Sequence, residues 1–241
     1  MSRPAAKDGE SRAGGRNLHA RIVDELGRLI VTGVLGDGQP LVPEDIGRRF
    51  GASRTVVREA LRVLESKGMV TARPRVGTWT LPPDDWDAID PDVIAWRMKG
   101  PNGGHQLREL LELRLTIEPQ AARLAAQHRR PDELSKMAAA YERMADAVDR
   151  VDHESFKTAD CEFHAALIRA SGNALIAQLQ VPVVAALNAR GELLDAPGDL
   201  SVSTLVLHSR VLTMVLAKNA DGAETASRRL LESMVPTPDL A

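Results

Sequence analysis

The chain has 241 residues, 44% of them hydrophobic and 27% charged, with a formal net charge of −2. That length favours two domains over one, and the composition supplies an apolar core for each. The single cysteine, Cys161, excludes an internal disulfide and fits a reducing compartment, and no apolar run approaches the roughly 18 residues that span a bilayer. A cytoplasmic protein without membrane contact is therefore expected.

Aromatic residues make up only 3% of the chain. Ala, Leu and Arg are abundant and lose little side-chain entropy in helices, so the expected class is mainly α. Charge is unevenly spread. Residues 1–81 hold 14 Lys and Arg against 9 Asp and Glu, whereas residues 82–241 hold 17 against 24. A basic head on an acidic body points to a polyanionic partner for the head alone.

Residues 1–16 contain basic and small residues without an apolar stretch, so they are expected to be a disordered tail and not a secretory signal. The predicted head spans 17–81. Its first helix, 18–31, turns Ile22, Leu26, Leu29 and Ile30 inward, and Gly33, Gly36 and Gly38 end it. Pro43 opens a second helix, PEDIGRRF, Gly51 makes the turn, and Ser53 caps a third helix over 54–67. This is the layout of a helix-turn-helix. Val57, Ala60, Leu61 and Leu64 face the core, while Arg54, Arg58 and Arg62 recur every four residues along an adjacent stripe. A helix start bearing Ser53, Arg54 and Thr55 suits a major-groove approach, because free N–H groups meet phosphate and Arg pairs with both acceptors of guanine. Two short strands at 69–73 and 77–81 flank a basic tip with Arg75 and Gly77, the shape of a wing. Taken singly, an arginine stripe is also what a solvated helix face looks like, and a hairpin is often only structure; the ordered set favours DNA.

The junction LPPDDWDAIDPD is rich in Pro and Asp, so 82–103 reads as a linker with a short helix at 92–98 whose Val93, Ile94 and Trp96 could pack the two domains together. Breakers at Gly103, Pro131, Gly172, Pro197 and Asn219 then divide 104–236 into helices at 104–128, 132–150, 152–171, 174–194, 202–218 and 220–235, an all-α bundle. Leu107, Leu110, Leu111, Leu115 and Ile117 mark the expected buried stripe of the first, and Pro182 should kink the fourth.

The run ASRTVVREALRVLESKGMVTARPRVGTW (52–79) resembles the signature of the GntR family of bacterial regulators, and LRELLELRLTIEPQAARLAA (107–126) is similar to the first long helix of its FCD effector domain. The resemblance implies a winged helix-turn-helix of three helices and a small hairpin in front of an FCD-like bundle, contacting DNA through Ser53, Arg54, Thr55, Arg58, Arg75 and Gly77. The arginine that the family often carries before its second helix is absent here, where Pro43, Glu44 and Asp45 stand. In TADCEFHAALIRASGN, Asp160 and His164 lie four residues apart, which puts both on one helix face about 6 Å apart. The resemblance adds His208 as third ligand of a divalent transition metal, zinc being the expected ion. A further histidine usual in the family is replaced by Leu230. The alternative is a polar cavity in which Asp160 hydrogen-bonds the histidines. Arg114 is implied to hold an effector carboxylate, or else to pair with Glu118 four residues on. Cys161 points to another face, towards packing, and His19, His105, His128 and His153 are expected at the surface. The segment WDAIDPDVIAWRM resembles regulators that respond to hexonates such as galactonate. The implied function is a homodimeric repressor bound to a pseudo-palindromic operator and released by a small organic acid. A metal-ion-sensing regulator and a helical metalloenzyme are the alternatives.

Overall fold

The computed structural model describes residues 8–73, 75–128, 130–193 and 200–234. The chain divides into two compact units, residues 1–101 and 102–241.

In the first unit, α1 (Asp8–Val31), α2 (Pro43–Phe50) and α3 (Arg54–Ser66) enclose a core of Ile22, Leu26, Ile30, Ile46, Val57, Ala60, Leu61 and Leu64. The α1 backbone is helical from Asp8, so the helix takes in half of the expected tail; residues 1–7 lie outside the described residues. Pro43 begins α2 at a position whose N–H would have no helical partner, and Gly51, at φ 63°, supplies the left-handed residue that ends it. Ser53 then caps α3 by accepting from the Val56 amide. The hairpin forms from β2 (Val70–Arg73) and β3 (Gly77–Thr80), with Arg73 opposite Gly77. A third strand, β1 (Pro40–Leu41), pairs along the other edge of β3, giving the order β1-β3-β2. Two residues carry no readable alternation, so the sequence shows the hairpin and not this third strand. Gly68 has φ 71°, and a Cβ there would stand 2.2 Å from the Asp85 carbonyl oxygen, so both dihedral and space demand glycine between α3 and β2.

The expected linker is fastened to the head. Helix α4 (Pro91–Met98) buries Val93 and Trp96 in the head's core, and the Trp96 ring lies where a Gly27 side chain would be, 2.6 Å from an ideal Cβ. Its indole N–H donates to Asp24 at 2.8 Å. Asp90 caps α4 and, with Asp92, receives the Lys67 ammonium at 2.8 Å; Lys67 is only 8% exposed. Proline and aspartate here mark a helix start with its N-cap, and α4 belongs to the same compact unit as the head, which runs to Pro101.

The second unit is all helical: α5 (Gly103–His128), α6 (Pro131–Arg150), α7 (His153–Ala170), α8 (Ala174–Gln178), α9 (Gln180–Leu193), α10 (Val202–Leu216) and α11 (Ala220–Glu232). Asp152, Asn173, Ser201 and Asn219 cap α7, α8, α10 and α11. Its core centres on Met137, Met144, Phe156, Phe163, Leu167, Val211, Val215, Leu230 and Leu231. The single helix expected over 174–194 is two, broken at Leu179. Pro182 falls in the first turn of α9, where a missing N–H costs no hydrogen bond, so it starts a helix instead of kinking one. The buried face of α5 also differs from expectation: of the predicted leucine stripe only Leu110 is fully buried, and the inward row is Gln106, Leu110, Arg114 and Glu118, each four residues from the last. Among the described residues no helix is long and apolar enough to cross a membrane.

Candidate nucleic-acid interface and candidate metal centre

The head carries a groove of about 670 Å³ between α3 and the hairpin, lined among others by Arg54, Arg58, Arg62, Arg73, Arg75 and Gly77. Helical periodicity sends Val57, Ala60, Leu61 and Leu64 inward and leaves Arg58, Glu59 and Arg62 between them facing outward. Ser53, Arg54, Thr55, Arg58 and Arg62 are exposed, as are Arg73, Arg75 and Gly77 on the wing. The turn is tight: Arg75 has φ 64° and Gly77 φ 115°. The six residues expected at DNA thus lie along one helix and the wing beside it. Arg73 ends β2 opposite Gly77, and this register brings it to the groove together with Arg75. Glu44 sits 3.5 Å from Arg54; both side chains are largely exposed, so this ion pair contributes little to folding.

In the helical unit, Asp160 and His164 stand one turn apart on α7, and α10 brings His208 to them. Both imidazoles are fully buried and Asp160 is 14% exposed. His208 Nε2 lies 2.9 Å from Asp160 Oδ1 and 3.3 Å from His164 Nε2, and His164 Nε2 lies 3.5 Å from Asp160 Oδ1. The opposite ring nitrogens are engaged elsewhere. His208 Nδ1 donates to the Thr204 carbonyl at 2.8 Å, and His164 Nδ1 donates to Glu118 Oε2 at 2.5 Å. With the protons so placed, both Nε2 lone pairs converge on a carboxylate oxygen that is buried without a hydrogen bond of normal geometry. Three acceptors facing one another call for a cation. Bonds of about 2.0–2.2 Å from zinc to such ligands set neighbouring donor atoms roughly 2.9 Å apart at right angles and roughly 3.4 Å apart at tetrahedral angles. The observed separations of 2.9, 3.3 and 3.5 Å match these values closely, so the residues fit a metal ion.

Glu118 was named from sequence only as a possible partner for Arg114, yet it is fully buried beside this cluster. Arg114, 3% exposed, donates from Nε to Glu118 Oε1 at 2.5 Å, and its Nη2 lies 3.4 Å from the His164 ring. The ion pair is therefore present, and Nη1 faces Met234 Sδ at 3.9 Å. Extending the four-residue spacing beyond Leu110 would have placed Arg114 and Glu118 on the buried row. Leu230, at the position of the family's further histidine, belongs to the apolar core. Cys161 is buried beside Asn188, and burial pushes its thiol up to about 12, in keeping with a packing role.

Burial opposes ionisation of Glu118, but the Arg114 guanidinium and His164 prevail and hold its carboxyl at about 2, below its usual 4.5. Burial also opposes a charge on His164, and Glu118, aided by Asp160, raises it from 6.5 to about 9. Burial opposes ionisation of Asp160 as well, and the His164 and His208 rings beside it hold its carboxyl well below the carboxylate range. The signs give a pH window for the metal-free protein. A raised His164 contributes stability that is full below 6.5 and lost as pH rises through about 9; a lowered Glu118 contributes stability that is full above 4.5 and lost as pH falls through about 2. Chelator-treated protein should therefore melt at falling temperature between pH 6.5 and 9, and zinc, which takes the place of the proton on His164, should remove that decline. Thermal melts at stepped pH with chelator or with zinc check this; parallel curves would contradict it.

Two family models match the chain: bacterial regulatory proteins of the gntR family over residues 18–79, and the FCD domain over residues 109–233. The chain is 28% identical over 222 residues to the uncharacterized HTH-type transcriptional regulator YieP of Escherichia coli (strain K12), covering 92% of this chain and 95% of that one. It is 27% identical over 219 residues to the galactonate operon transcriptional repressor of the same strain, covering 90% and 95%. Among solved structures, Lar, which controls expression of the Listeria monocytogenes agr system, superposes with a TM-score of 0.63 at 18% identity, covering 90% of this chain and 94% of the other, a likeness of fold.

Proposed function

Since the chain belongs to the GntR family of bacterial regulatory proteins, with an FCD domain as its second unit, we propose that it represses a sugar-acid operon and is released by a small carboxylate effector. It is a DNA-binding transcription regulator and not an enzyme. The observation that carries the reading is the basic groove between α3 and the wing, where Arg54, Arg58, Arg62, Arg73 and Arg75 converge beside the Ser53-capped helix start. In this reading Ser53, Arg54, Thr55, Arg58, Arg75 and Gly77 contact operator DNA, and a cytoplasmic homodimer presents two heads to two half-sites.

Asp160, His164 and His208 hold a divalent transition metal, zinc by its preference for imidazole and carboxylate. Such an ion supplies positive charge and open coordination positions for an effector's carboxylate and hydroxyls. Arg114 lies next to His164 and offers its Nη groups to the same carboxylate. The galactonate repressor among its relatives makes a hexonate the first effector to try. Binding lowers operator affinity to the extent that the effector prefers the arrangement unable to hold DNA.

A second reading, a regulator for which the metal ion is itself the signal, is favoured by the Arg114–Glu118 pair, which already occupies the Nε of the arginine. One titration separates the two. Anisotropy of a labelled promoter fragment from the protein's own locus should report salt-sensitive, sequence-dependent binding by the zinc-loaded protein, weakened by galactonate. If zinc alone shifts the affinity and no organic acid does, the metal-sensing reading replaces the first. No preference for promoter sequence over random DNA would sink both.

A further inference from the structure

We propose that Glu118 is the residue that makes the Asp160–His164–His208 cluster able to take a metal ion, because its carboxylate fixes the tautomer of His164 while anchoring Arg114; the inference rests on the metal reading above. Glu118 lies on α5, apart from the two helices that carry the three ligands, and it is fully buried. One oxygen accepts from Arg114 Nε and the other from His164 Nδ1, each at 2.5 Å. An ionised carboxylate has no proton to give, so whatever faces it must donate. An imidazole that binds a metal ion does so in its neutral form, which has a single N–H. With that proton drawn to Nδ1, the Nε2 lone pair is left on the side of His208 Nε2 at 3.3 Å and Asp160 Oδ1 at 3.5 Å. The other tautomer would aim an N–H at the place where the ion must sit. His208 needs no such residue, since the Thr204 carbonyl within its own helix fixes its ring in the same sense.

The two partners of Glu118 are unequal. Arg114 is a donor at every nitrogen and has no second protonation state to turn to, whereas His164 can shift its proton from one nitrogen to the other. Glu118→Gln keeps the shape but leaves one acceptor and one donor in place of two acceptors. The amide oxygen must go to Arg114, so the amide NH₂ faces His164 Nδ1 and drives the proton to Nε2. Metal affinity then falls although none of the three ligands has been touched. Remove the arginine as well, and the amide oxygen is free to turn to His164 and restore the tautomer.

The test is zinc affinity by competition with a chromophoric chelator, alongside thermal melts, for the unsubstituted chain, Glu118→Gln and two double variants, Arg114→Met/Glu118→Gln and Arg114→Met/Glu118→Leu. Loss of an orienting partner of a ligating histidine weakens metal binding by about 10- to 100-fold, the drop expected for the single variant and for the Leu double variant. The Gln double variant should recover most of it. Because both double variants lack a buried unpaired charge, they keep the comparison meaningful even if Glu118→Gln alone fails to fold. Equal zinc affinity in the two double variants would overturn the role of Glu118 while leaving the metal site standing. An unsubstituted chain that binds no zinc would overturn both.

Discussion

Replacing Arg54 and Arg58 together by alanine is expected to weaken binding to the promoter fragment by about 2–6 kcal/mol, roughly 30-fold to 10⁴-fold, at about 1–3 kcal/mol for each arginine that reads a base. The size of the effect follows from their position. Both lie on the outward row of α3 and line the groove facing the wing, and the Arg54 side chain is 79% exposed. For the same reason folding should hardly notice: exposed substitutions usually change stability by less than about 0.5 kcal/mol, so the melting temperature should stay put. The salt dependence adds a second measure. An arginine that touches phosphate takes about one unit off the slope of log affinity against log salt, whereas an arginine that reads a base relaxes the preference at one position of the site. Undiminished affinity at fixed salt would remove α3 from the DNA interface.

The second large effect is expected at the buried cluster. His164→Ala and His208→Ala each delete one of three converging donors. Zinc held by four protein ligands is worth about 10–16 kcal/mol, so one ligand accounts for roughly 3 kcal/mol and its loss weakens binding by at least about a hundredfold. Operator binding by either variant should survive, because the head encloses its own core, but its response to galactonate or to zinc should be blunted. Metal content can be read by mass spectrometry of the intact protein under native conditions. Unchanged stoichiometry in both variants would show that the ion, if any, is held elsewhere.

What the sequence reveals about these two sites differs in kind. The frame of the candidate DNA interface follows from local pattern, since a serine cap, a four-residue arginine row beside an apolar face and a glycine-bearing turn are all set by neighbours in the chain, while the DNA contacts themselves are what the resemblance implies. The candidate metal ligands needed a family resemblance as well, because periodicity joins Asp160 to His164 but says nothing of His208, 44 residues away. Glu118 escaped notice for another reason. A glutamate on an amphipathic helix is ordinarily solvated, and only the packing of α5 against α7 turns this one inward with its charge compensated by Arg114. The same blindness to tertiary partners explains the linker. Proline and aspartate are read as loop formers, yet here they open and cap α4, and what secures α4 is the absence of a side chain at Gly27, which no pattern in 82–103 could disclose.

The charged groups between α5, α7 and α10 carry an electrostatic sum that any occupant of the cluster would change. Arg114 contributes one positive unit, Glu118 and Asp160 one negative unit each, so the fixed groups leave a deficit of one. A proton on His164 brings the total to zero, and a neutral cluster has no net attraction for anions. A divalent ion in the proton's stead tips the balance to one positive unit, which a singly charged acid cancels and a doubly charged one overshoots. Uptake of the ion and uptake of a monoanion would then reinforce each other, and the protein's selectivity would begin with counting charges before it reaches the arrangement of hydroxyl groups.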